Sequence, residues 1–183
     1  MKLRQNLLTA LLAAALCILA PLVIPVGPVP VSLATLGVYL AAGLLGPVRG
    51  TTTVGLYLLL GAIGLPVFAG FTGGFQQFAG VTGGFLWGYL LCALTVGLLT
   101  RINHRPPLMA LWLVIGALAL YLPGVGWCVW QTGTPLWSAL LTVVLPCIPG
   151  EIVKIAVATG LIIPLKKWVD RLTTAGMNTK EGF

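Results

Sequence analysis

Two ionisable side chains stand inside an otherwise apolar stretch, Leu145-Pro146-Cys147-Ile148-Pro149-Gly150-Glu151-Ile152-Val153-Lys154. A spacing of three puts the Glu151 carboxylate and the Lys154 ammonium on one helix face, where they either pair with each other or converge on a third body. As a structural ion pair they would only lower each other's burial penalty. As a ligand site they would offer an acceptor for N–H donors beside a donor for a carboxylate. Trp127, Trp130, Tyr121 and Phe75 are candidates for the apolar walls around a small amphipathic ligand.

Depth sharpens the choice between these readings. Lys154 precedes Lys166 by about 18 Å of helix, well inside a hydrocarbon core about 30 Å thick. A charge at the centre of a membrane helix costs roughly 2.5 to 3.5 kcal/mol on insertion scales, and such residues generally mark function. Pro146, Pro149 and Gly150 interrupt the helix just upstream. Broken helices beside charges build midplane sites in many membrane proteins that move solutes.

The rest of the chain must supply the membrane fold that holds this pair. Of 183 residues, 58% are hydrophobic and 7% charged, against about 25% charged in soluble domains. We read an all-α integral membrane protein, a single polytopic domain over residues 1–183 with spans at about 5–25, 32–46, 51–65, 81–100, 107–130 and 137–166 and a short tail at about 167–183. The run after Lys2 and Arg4 lacks a convincing cleavage site and reads as a retained first helix.

Charge placement supports six spans. Lys2 and Arg4 precede span one, Arg49 lies between two and three, Arg101, His104 and Arg105 lie between four and five, and Lys166, Lys167 and Arg171 follow six. The other connections carry no charge, so both termini are expected in the cytoplasm. The net charge of +7 therefore orients the chain in the bilayer, and nucleic acid is not an expected partner. Cys17, Cys92, Cys128 and Cys147 are scattered, with His104 the sole histidine, so no metal site is expected.

The uncharged connections carry their own signals. The first, Pro25-Val26-Gly27-Pro28-Val29-Pro30-Val31-Ser32-Leu33, is too apolar and constrained for a floppy tether and suits a lid. The second holds a short duplication, in which Ala69-Gly70-Phe71-Thr72-Gly73-Gly74-Phe75 recurs as Ala79-Gly80-Val81-Thr82-Gly83-Gly84-Phe85. Gly80, Gly84 and Gly88 stand four apart on one face, admitting either a neighbouring helix or a ligand. Ala10 and Ala14 form a second small-residue ladder, facing another span or another protein.

Together these segments resemble the BioY proteins, the biotin-specific substrate-binding (S) components of energy-coupling factor (ECF) transporters. The resemblance spans about residues 7–168. It rests on Pro28-Val29-Pro30-Val31-Ser32-Leu33, Gly46-Pro47-Val48-Arg49-Gly50, Gly61-Ala62-Ile63-Gly64-Leu65-Pro66-Val67-Phe68-Ala69, Thr82-Gly83-Gly84-Phe85-Leu86-Trp87-Gly88-Tyr89 and Pro149-Gly150-Glu151-Ile152-Val153-Lys154, in this order and spacing. Glu151 stands where the family usually has Asp, Ala34 where Gln is common and Val81 where Pro is common.

The resemblance implies an S-component fold of six helices that binds biotin from outside, with the first loop, including Pro28, Pro30 and Ser32, closing over it. Glu151 and Lys154 are the implied ligand residues. From ligand chemistry, the valerate carboxylate suits Lys154 and the ureido N–H groups suit Glu151, while Gln76 or Gln77 adds a polar contact and Tyr39 or Trp87 a packing one. Ala10 and Ala14 would meet the transmembrane coupling (T) subunit. The chain has no phosphate-binding G-x-x-x-x-G-K-[ST] motif, so energy would come from two partner ATPases. Some family members work alone or as oligomers.

The expected role is thus a transport subunit in a bacterial or archaeal cytoplasmic membrane, with no cofactor and biotin as its ligand. Other readings are an S component for another vitamin, a solitary transporter or passive channel, and an intramembrane enzyme. The enzyme has the least support: Asp170, the only Asp, lies in the tail, His104 is in a basic loop, and neither Ser32 nor Ser138 has a visible base.

Overall fold

The computed structural model describes residues 2–24, 31–102 and 106–174. Its first helix, α1 (Lys2–Leu19), turns Ala13 and Leu16 inward and leaves Leu7, Leu11 and Ile18 exposed. It ends earlier than the expected span because Ala20 and Pro21 form a turn and Pro21 lacks the N–H a helix needs. A two-stranded antiparallel ribbon follows, β1 (Val23–Ile24) and β2 (Val31–Ser32), with Val23 opposite Ser32. Pro28 and Pro30, expected in the lid, lie outside the described residues.

Spans two and three form one helical run, α2 (Ala34–Ala62), bent at Gly46. Gly46 has φ 78° and ψ −174°, a backbone conformation that glycine adopts without a Cβ penalty. Pro47 then restarts the helix at a position where its missing N–H costs nothing. The expected connection at 47–50 is therefore already helical. The second half folds against the first: a Cβ on Gly50 would lie 2.6 Å from the Ala42 Cα.

Residues 63–82 connect α2 to α4 (Gly83–Leu99) and include the short α3 (Gln76–Ala79). Backbone bonds from Gly74 N–H to the Gly61 carbonyl (2.7 Å) and from Gly70 N–H to the Pro21 carbonyl (3.1 Å) fasten this connection to the bundle. Edge-on contacts join Tyr57 to Phe68, Phe68 to Phe78, and Phe78 to Trp87. The two copies of the duplication adopt different structures. The first makes a turn closed by Phe68 and Thr72, whereas the second opens α4.

Helix α5 (Pro106–Thr132) packs extensively on α4. Gly84 and Gly88 make this possible, because a Cβ on Gly88 would lie 2.7 Å from the Leu120 carbonyl and one on Gly84 would overlap Trp127. Gly84 and Gly88 thus form an internal helix contact, whereas Gly80, expected on the same face, follows α3 with ψ 175° and precedes α4. The last segment runs from α6 (Leu136–Ala139) through a π turn (Leu140–Val144) and a 3-10 turn (Leu145–Cys147) into α7 (Ile148–Thr174). The expected break before Glu151 is therefore a local rewinding, since Pro146 and Pro149 fall within the first turns of new helical pieces, where an N–H is dispensable. Helix α7 continues past the expected end into the tail.

The outer surface is apolar. Leu111, Val114, Leu118 and Leu122 make an exposed stripe along α5, while Met109, Leu113, Ala117 and Leu120 face the core. Pro107–Thr132 and Leu136–Val169 are long and apolar enough to cross a bilayer, with mean hydropathy of 2.1 and 1.9. An apolar exterior around an apolar core is the mark of a protein dissolved in lipid.

Candidate ligand-binding site

Helices α2, α4, α5 and α7 meet around a cavity of about 190 Å³, closed further by β2 and the 63–82 connection. Apolar walls come from Phe68, Phe85, Leu86 and Leu120, and tyrosine rings from Tyr57, Tyr89 and Tyr121. Polar groups gather in two regions. Thr35, Glu151 and Lys154 belong to α2 and α7, whereas Thr72, Gln77 and Thr82 belong to the 63–82 connection. Thr72 and Thr82 occupy equivalent places in the duplication, and both reach the cavity.

Glu151 and Lys154 are each only 6% exposed. Lys154 Nζ donates to Glu151 Oε2 at 3.1 Å and to Thr35 Oγ1 at 2.8 Å. The Tyr39 hydroxyl donates to Glu151 Oε1 at 2.5 Å, and the Tyr121 hydroxyl reaches Oε2 at 3.5 Å. The pair is neutral as a unit, which makes its burial tolerable. An ammonium has three donors and a carboxylate about four acceptor sites, so each retains capacity for a ligand after its contacts among the described residues. The long Tyr121 contact is the weakest of the set and the easiest to replace.

The expected site residues separate into two groups. Glu151, Lys154, Gln77 and Ser32 line the cavity. Tyr39 is fully buried behind it and acts on Glu151 through a hydrogen bond as well as by packing. Gln76 is outside the lining, its side-chain amide bonded to the Gly73 carbonyl, and Trp87 is half-exposed against Phe78. Of the four suggested wall aromatics, Tyr121 lines the cavity. Trp127 is bonded instead to the Gly80 carbonyl, and Trp130 and Phe75 are exposed. Ala10 and Ala14 lie on the exposed side of α1.

Several lining residues, among them Thr35, Thr72, Thr82, Tyr57 and Tyr89, are not candidates from the sequence, and Thr35 is the one bonded to the charge pair. Its signal was available: Thr35 and Tyr39 are polar side chains four apart on one face of an apolar helix. What the sequence alone lacked was the partner of that face, since Tyr39 and Glu151 are 112 residues apart.

A helical, lipid-facing protein with a buried ion pair on the wall of a small-molecule cavity is a membrane-embedded ligand-binding protein. The chain matches the BioY family over residues 1–171 and belongs to that family. It is 42% identical over 98 residues to the biotin transporter BioY of Thermotoga maritima, a match spanning 54% of this chain and 58% of that protein. It is 36% identical over 158 residues to the probable biotin transporter BioY of Pyrococcus horikoshii, covering 86% of this chain and 93% of the relative. Its fold is similar to the crystal structure of the S-component for biotin from an ECF-type ABC transporter, with a TM-score of 0.85 and 30% identity over 91% of this chain and 92% of that one.

Proposed function

We propose that this protein captures biotin at the outer side of the cytoplasmic membrane as the substrate-binding subunit of an ECF-type transporter. The observation that carries the reading is the buried Glu151–Lys154 pair on the cavity wall, in a family whose relatives are named biotin transporters. The protein acts as a transport subunit and not as an enzyme.

The 3.1 Å separation of the two charges supports a specific pose. A ureido group carries N–H donors beside a carbonyl acceptor, so one ligand end pairs with both residues at once. Glu151 accepts an N–H and Lys154 donates to the carbonyl. The valerate tail then runs between Phe68, Phe85 and Leu120 towards Gln77, Thr72 and Thr82. The two-ended contact expected from residue chemistry would require the two charges to part.

Six long helical segments among the described residues, counting the halves of α2 separately and α6 to α7 as one, support six crossings. Arg49 hydrogen-bonds the Gln5 side chain, and Arg101 lies beside Gly46. This gathering of basic segments at one end supports a cytoplasmic face with both termini. The exposed Ala10 and Ala14 let a coupling subunit approach α1 closely, and two ATPases complete the assembly. The test is competition: unlabelled biotin displaces labelled biotin from the purified protein, whereas thiamin and riboflavin do not. Displacement by either of those overturns the ligand assignment.

A further inference from the structure

The C-terminal end of α5 holds the carbonyl end of α3 by two side-chain bonds. Trp127 Nε1–H donates to the Gly80 carbonyl at 3.0 Å, and Gln131 Nε2 donates to the Ala79 carbonyl at 2.7 Å. Neither side chain lines the cavity.

A helix of four residues has almost no stability of its own, because nucleation costs more than one turn returns. Its last carbonyls also lack intrahelical donors. Helix α3 is in that position: α5 supplies a donor to the Ala79 carbonyl, and at the Gly80 carbonyl, just past the helix, Trp127 adds to the backbone bond from Gly83 N–H at 2.9 Å. Trp127 reaches Gly80 because Gly84 has no Cβ. Any side chain there would overlap the Trp127 Cβ and lie 2.6 Å from the Pro123 carbonyl.

What is held matters for the site. Gln77 on α3 and Thr82 just beyond it line the cavity, and Phe78 anchors the turn between Phe68 and Trp87. The same α5 carries Leu120 and Tyr121 on the facing wall. The two bonds therefore tie one cavity wall to another without occupying the cavity.

We propose that Trp127 and Gln131 are positioning residues for ligand retention, a latch that keeps Gln77 and Thr82 against the bound molecule. The retention role rests on the biotin-binding reading; the ordering role does not. Trp127→Phe keeps a ring but removes the N–H, and Gln131→Leu changes an exposed side chain that the core does not need.

Two measurements test the latch. In the unliganded protein, amide hydrogen exchange over residues 76–83 is expected to rise about ten-fold in the double variant, with native far-ultraviolet circular dichroism showing that the bundle stays folded. In biotin-loaded protein, dissociation is expected to quicken several-fold at an unaltered association rate. Unchanged exchange overturns the latch. Raised exchange with wild-type dissociation overturns its role in retention. Wild-type protein that fails to bind biotin contradicts the ligand reading, and the latch is then judged on exchange alone.

Discussion

The Tyr39 hydroxyl lies 2.5 Å from Oε1 of Glu151, joining the first half of α2 to the start of α7 across 112 residues of sequence. Because Tyr39 is outside the cavity lining, this bond takes up no space that a ligand would need. It orients a carboxylate that would otherwise swing about its long side chain, and it offsets part of that carboxylate's desolvation.

Replacing Tyr39 with Phe is therefore expected to act on the fold more than on the ligand. Loss of a hydrogen bond to a charged group costs about 1.5 to 3 kcal/mol. Thermal unfolding with and without biotin should show the same loss in both states. A loss confined to the biotin-loaded protein would place Tyr39 in direct ligand contact instead.

The ion pair makes a non-additive expectation. Glu151→Gln or Lys154→Met alone leaves one buried charge unpaired, at a cost of about 3 to 5 kcal/mol. The double variant should recover most of that stability while remaining unable to bind biotin. Stability measured across the four proteins gives the coupling, and additive single effects would contradict the neutral-unit picture.

Much of this site is legible in the sequence, for identifiable reasons. Glu151 and Lys154 stand out because charges in an apolar span carry a high cost whatever surrounds them. Pro47, Pro146 and Gly46 announce distortions, yet their form depends on packing: Gly46 bends one helical run where a connection was expected, and Pro146 falls in a 3-10 turn within a continuing helix. Thr35 stays hidden, and Tyr39 enters only as a packing contact, because threonine and tyrosine are ordinary in membrane helices until a partner from α7 is known. Trp87 and Trp127 exchange no information with the cavity in a linear reading, since an aromatic ring serves a ligand wall and a helix contact equally well.

Ligand chemistry tests the pose independently of the fold. With the ureido end at Glu151 and Lys154, reducing the biotin carboxylate to an alcohol should weaken binding by less than about ten-fold, within the range of one ordinary hydrogen bond. Titration calorimetry with the alcohol reads this directly. Complete loss of binding would instead place the carboxylate on Lys154.

The α4–α5 contact should be intolerant of added volume. Gly88→Ala puts a methyl group 2.7 Å from the Leu120 carbonyl, and overpacking of this kind costs about 1 to 3 kcal/mol. Gly160→Ala on α7 meets nothing within 4 Å and serves as the control. Equal unfolding temperatures for the two variants would refute the proposed close packing.

The central claim, that biotin is held by the buried charge pair, is tested most directly by calorimetry of biotin binding to purified wild-type and Lys154→Ala protein. Saturable one-to-one binding by the wild type, weakened at least about 100-fold in the variant, is the expected result. Wild-type affinity in a folded Lys154→Ala protein would contradict it.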